Sequence, residues 1–245
     1  MKKIFLYILA GSLSFTACKK DDDYVVYIEP SDVNVQNNYD DQAIKKFMDE
    51  NYLDAQGNIK TFSATDTADD HQKKLSQLKP QTLPSGTIYI MRDGAQPDAG
   101  KGKAINDNSV IKIMGKINAF EARDNNGVPQ FISITPFLNT IDGSTLPSVD
   151  PMYYYSKASV RATSGKDRSY YEIAGFREAL QKFTAFDNMP SEAPYNLQGV
   201  IIVPSRAAFA RNPFYPYLGG DYRNKTFVFN FQIYDSRDRV IPGED

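Results

Sequence analysis

The sequence predicts an α+β fold, with several strands, one short helix between them and a separate helical piece toward the N-terminus. Runs of β-branched and aromatic residues bounded by turn formers recur at 87–91, 110–117, 129–138, 200–203 and 227–234, the pattern of strands. Between the third and fourth runs, Ile173, Phe176, Leu180 and Phe183 mark the apolar stripe of one short helix. Helices therefore do not alternate with strands, which argues against an α/β sheet. An aromatic content of 13%, carried by 16 Tyr and 15 Phe with no Trp, suits a strand-rich fold with an aromatic-lined hollow.

The N-terminal end reads as a processing signal. Met1-Lys2-Lys3 is basic, 4–15 is apolar, and Thr16-Ala17 precedes Cys18, so 1–17 has the plan of a secretory signal and is too short to span a bilayer. Cys18 is the single cysteine, so no internal disulfide can form, and the residue is either a buried thiol or a modified one. Phe15-Thr16-Ala17-Cys18 resembles a bacterial lipobox, which implies cleavage before Cys18, lipidation there and a membrane anchor without a span. The following Lys19-Lys20-Asp21-Asp22-Asp23 reads as a solvated tether. It also resembles the acidic signal of surface-exposed Bacteroidetes lipoproteins. The expected place is the cell envelope, at the outer membrane, with the domain periplasmic or surface-exposed.

The segment 18–38 is expected to be a tether, extended from Tyr24 to Asn38. Residues 39–84 form a helix and a linker. Asp40-Asp41 stand before Ile44, Phe47, Met48 and Tyr52, an apolar stripe with acids at its positive end, and Gly57 is a stop signal. Residues 58–84 are polar and weakly periodic, with one short helical piece near 72–78. The main domain is assigned to 85–245. Its first strand is followed by a glycine-bearing loop at 93–108, and Asp124-Asn125-Asn126-Gly127 is a hairpin turn. Residues 140–165 are irregular and contain Pro147, Pro151 and the triplet Tyr153, Tyr154 and Tyr155.

Several chemistries are excluded by residue count. Zinc sites need clusters of His and Cys, and the chain offers only His71 and Cys18. A Ser-His-Asp site would have to use His71, which lies in a polar stretch beside Asp69 and Asp70. The glycines between Gly94 and Lys103 lack the spacing of a phosphate loop, and no Ser or Thr follows the lysine. A net charge of −2 without a basic cluster argues against nucleic acid as a partner. What remains are processes that need no acid, base or nucleophile. Rotation about an X-Pro bond is one, because a dry aromatic pocket with a few fixed donors can favour the twisted amide. A plain binding pocket fits the same residues.

From Gln198 to Tyr234 the order is strand, Pro204-Ser205, an aromatic-tipped loop at Phe209 and a final aromatic strand, preceded by Tyr171-Glu172-Ile173-Ala174-Gly175-Phe176-Arg177-Glu178-Ala179-Leu180. This ordered set resembles the FKBP-type peptidyl-prolyl cis-trans isomerases over about 85–234. The resemblance implies an antiparallel curved sheet wrapped around the short helix, no cofactor, and a proline pocket between them. It puts Phe176 on the pocket floor, Ile173 beside it with a backbone N–H for a substrate carbonyl, and Phe209 and Phe229 on the walls. It departs from the family at Phe209 and Ile113, where tyrosines are usual, at Phe176, where tryptophan is usual, and near Leu146-Pro147, where an acid is missing unless Asp142 or Asp150 replaces it. The implied function is prolyl isomerisation of proline-containing peptides or unfolded envelope proteins. The alternatives are a catalytically weakened binding or chaperone-like module and a structural surface lipoprotein. For Phe176, Phe209 and Phe229 the competing reading is ordinary core packing.

Overall fold

A computed structural model describes residues 28–142, 146–212 and 221–241. The signal segment 1–17 and the tether from Cys18 to residue 27 lie outside the described residues. No described helix is long and apolar enough to cross a membrane.

The first helix, α1 (Val33–Glu50), starts well before the expected acidic pair. Asp32 is its N-cap, accepting the Asn34 N–H at 2.8 Å, so the extended reading of the lead-in fails from Val33 onward. The early turns were disguised because polar residues occupy their inward face. Gln36 and Asp40 are both buried. The Gln36 amide donates to Asp40 at 3.0 Å and to the Ala122 carbonyl at 3.1 Å, while Asp40 accepts the Ser205 N–H at 2.9 Å. Asp40 is thus a buried tie between α1 and the Pro204-Ser205 turn, and not a helix-end acid.

The stretch expected to be a linker is also structured. Strands β1 (Asn51–Leu53) and β2 (Ile59–Thr61) form a hairpin, and Asp54 in its turn accepts the Gln56 and Asn58 N–H groups. Leu75, in a 3-10 turn at Leu75–Gln77, is fully buried. Its apolar residues are too sparse to show a period, yet they join a core. Next come β3 (Gln81–Thr82), β4 (Ile88–Met91), β5 (Lys103–Ala104), β6 (Ser109–Asn125), β7 (Val128–Asn139) and β8 (Ser148–Val149). Helices α2 (Ala158–Ser164) and α3 (Ala174–Leu180), then β9 (Thr184–Ala185), β10 (Gly199–Val203) and β11 (Lys225–Asp238), complete the order.

The chain is α+β. Its main sheet has the order β3-β4-β10-β11-β6-β7, with β8 on β6 and every pair antiparallel, while β5 and β9 pair separately. Register shifts on β6 near Ile117 and Glu121 and on β11 near Ile233 are bulges, which bend long strands and increase their twist. Both faces are covered. Ile201 and Val203 of β10 join Phe227, Phe229 and Phe231 under α3 in one core. Val200 and Ile202 point the other way and meet Ile44 and Met48 of α1 in a second core. The N-terminal helix is therefore a layer of the fold. Gly175 sets how close α3 sits, since a Cβ there would lie 2.4 Å from Thr87 Oγ1 and 2.7 Å from Val203 Cγ1.

Candidate functional site

Strand β11 sends Phe227, Phe229 and Phe231 to the same face because side chains alternate along a strand. Helix α3 places Phe176 on that row, where its ring stacks on Phe229 with centroids 4.2 Å apart and an interplanar angle of 23°. Phe176 also meets Phe231 edge-on at 6.0 Å. Phe209, just past the Ser205–Ala207 turn, packs edge-on against Phe227 at 5.7 Å, and Phe227 lies 6.3 Å from Phe229. Ile173 is the N-cap of α3. The structure brings all four expected residues into one cluster, with Phe209 reaching the others through Phe227.

That cluster is closed. Exposure is 0% for Ile173 and Phe176, 1% for Phe229 and 4% for Phe209. Clefts of about 520 Å³ and 480 Å³ open elsewhere, the first beside Leu78 and Tyr89, the second between β2 and the β6–β7 pair. The filler comes from the segment that looked irregular in sequence. Tyr153 sits edge-on to Phe176 at 5.5 Å and tilted on Phe229 at 5.6 Å. Its carbonyl accepts the Ile173 N–H at 2.8 Å, the donor that the family resemblance reserves for a substrate carbonyl.

The neighbours of Tyr153 hold the segment down. The Tyr154 hydroxyl donates to the Ser109 carbonyl at 2.9 Å, and burial pushes its pKa up to about 12. The Tyr155 ring lies under the Arg239 guanidinium at 3.4 Å, with Arg168 at 5.4 Å. Ser156 donates through its N–H at 2.8 Å and its hydroxyl at 2.7 Å to one oxygen of Glu172, which is only 2% exposed. Arg177 approaches the other oxygen of Glu172 at 3.1 Å, and Arg168 lies 3.4 Å from the first. The two acids considered as replacements are used elsewhere. Asp142 pairs with Lys116 and Asn139, and Asp150 accepts the Ile111 N–H and pairs with Arg239. Ile113, 2% exposed, packs in the same core without a hydroxyl to offer.

Sequence reasoning named Tyr153 in an irregular segment and Glu172 at the start of the short helix without giving either a place in the site, and it gave none to Ser156 or the arginines around them. A signal existed in the tyrosine triplet, because three adjacent large aromatics are costly to leave in water and imply a surface to cover.

No protein-family model matches the chain, and no curated protein sequence does. Among solved structures it is similar to a peptidyl-prolyl cis-trans isomerase from Pseudomonas syringae pv. tomato, at 14% identity over 65% of this chain and 81% of that one, with a TM-score of 0.34. It is also similar to FkpA from Escherichia coli, at 17% identity over 65% of this chain and 52% of that one, with a TM-score of 0.30. The chain thus matches about half the length of FkpA.

Proposed function

We propose that the protein is a prolyl isomerase of the FKBP type, lipid-anchored through Cys18 in the cell envelope and acting on proline-containing segments of unfolded envelope proteins. The observation that carries this reading is the hydrogen bond from Ile173 to Tyr153 beside the Phe176–Phe229 stack. The site already holds a peptide carbonyl on one fixed N–H with an aromatic side chain laid on an aromatic floor. An X-Pro segment needs the same two things, a donor for its carbonyl and a dry surface for its ring. Isomerisation breaks no bond. Its barrier of about 20 kcal/mol comes from amide resonance, so a site that binds the twisted amide better than the planar one accelerates it.

The test is a proline-limited refolding reaction followed with and without micromolar protein. Acceleration supports the proposal. No acceleration and no binding of Phe-Pro peptides, even when the Tyr153 segment is displaced, would remove it. A second reading, a binding or chaperone-like module without catalysis, is favoured by Phe209 and Ile113, which leave those positions of the cluster without hydroxyl donors. Peptide binding without acceleration would select it.

A further inference from the structure

We infer that the stretch from Pro151 to Ser156 is a built-in occupant of the site, an intrachain gate that must leave before any outside segment can bind. The inference rests on the proposed function for the identity of the site, and on geometry for the gate. One donor, the Ile173 N–H, cannot serve two carbonyls at once, and Tyr153 holds it at 2.8 Å. The Tyr153 ring covers Phe176 and Phe229 together, so the floor and the donor are blocked by one residue.

The way this segment is attached makes exchange possible. Tyr153, Tyr154, Tyr155 and Ser156 are buried, but α2, which follows them, has no buried residue, and before them Val149 is 61% exposed. A short buried stretch between exposed neighbours can open without unfolding the sheet. The latch is the cluster of Ser156, Glu172, Arg168 and Arg177, in which a buried carboxylate, 2% exposed, is met by an Arg168 side chain that is 41% exposed and an Arg177 side chain that is 15% exposed. Glu172 and Ile173 are adjacent in sequence, so the latch and the blocked donor belong to the same turn before α3. With the gate closed, apparent affinity is the intrinsic affinity reduced by the fraction of open molecules.

The experiment uses the full-length chain and the variants Ser156→Ala and Arg168→Ala, which loosen the latch and leave Ile173, Phe176 and Phe229 untouched. Amide exchange at Ile173 is followed together with binding of a soluble tetrapeptide containing Phe-Pro. The expected result is that each variant exchanges the Ile173 amide about tenfold faster and binds the peptide about tenfold more tightly, the effect of losing one charge-assisted contact. In the wild type, saturating peptide should deprotect the amides at 153–156, a readout that needs no variant. Equal peptide affinity in wild type and variants, or peptide binding that leaves 153–156 protected, overturns the gate while the site reading survives. Unchanged exchange at Ile173 in both variants overturns the latch. A freed Ile173 amide with no peptide binding overturns the proposed function itself.

Discussion

Replacing Phe176 by alanine separates a closed aromatic core from an open hollow. In the structure the ring is fully buried, stacked on Phe229 and met edge-on by Tyr153, Tyr154 and Phe231. Removing a ring from such a site costs about 3–5 kcal/mol, the transfer of the lost atoms plus the cavity left behind. Each aromatic pair adds about 0.5–1.5 kcal/mol beyond its area, so the upper part of that range is expected. Collapse of the site is limited because β10, β11 and α3 frame it with fully buried neighbours. Equilibrium urea unfolding gives the value directly. With a slope of about 2–3 kcal/mol/M, the midpoint should fall by about 1–2 M at unchanged slope. A loss below about 1 kcal/mol would refute the reasoning, because a ring bordering a hollow open to water has much less burial to lose.

Asp40→Ala leaves the buried Ser205 N–H and the Gln36 amide short of an acceptor, and should cost about 1–3 kcal/mol in the same urea measurement. Burial holds the Asp40 carboxyl above its ordinary value of 3.8, so between that pH and its raised folded value the native state holds the extra proton and stability falls as pH rises. Asp40→Asn should flatten this slope. Gly175→Ala should destabilise by about 1–3 kcal/mol despite the better helix propensity of alanine, because the added methyl meets Thr87, Val203 and Ala207; a gain in thermal midpoint would contradict the close approach. Hydrogen bonds from Arg223 and Asn224 lower the Glu29 pKa from 4.5 to about 2. The detached form therefore protonates first, so the stabilisation that Glu29 gives the lead-in is fully present above pH 4.5 and lost as pH falls through about 2, while Arg211 still holds the Pro30 and Ser31 carbonyls. The NMR signals of the Arg223 Nε–H and the Asn224 side-chain amide, which donate to Glu29, should shift over that window in the wild type and stay in place in Glu29→Gln.

The sequence by itself determined the main strands of the large sheet, the short helix and their order, and it missed β1, β2, β3, β5, β8 and β9. Alternation, turn formers and an apolar stripe are local properties, and they placed β6, β7, α3, β10 and β11 within a few residues, except that β6 runs on to Asn125. The unbroken apolar run of β10 is what a strand covered on both faces looks like. It did not say by what, because Gln36 and Asp40 hide the inward face of α1 behind polar residues whose partners, Ala122 and Ser205, are far away in sequence. The site divides in the same way. Phe176 and Phe229 share one cluster for reasons of periodicity, but whether that cluster is hollow depends on where residues 151–156 go. Their position is fixed by Ile173, Glu172 and Arg239, contacts that no local pattern encodes. Tertiary packing alone decided that the proposed proline site is filled by the chain's own tyrosine.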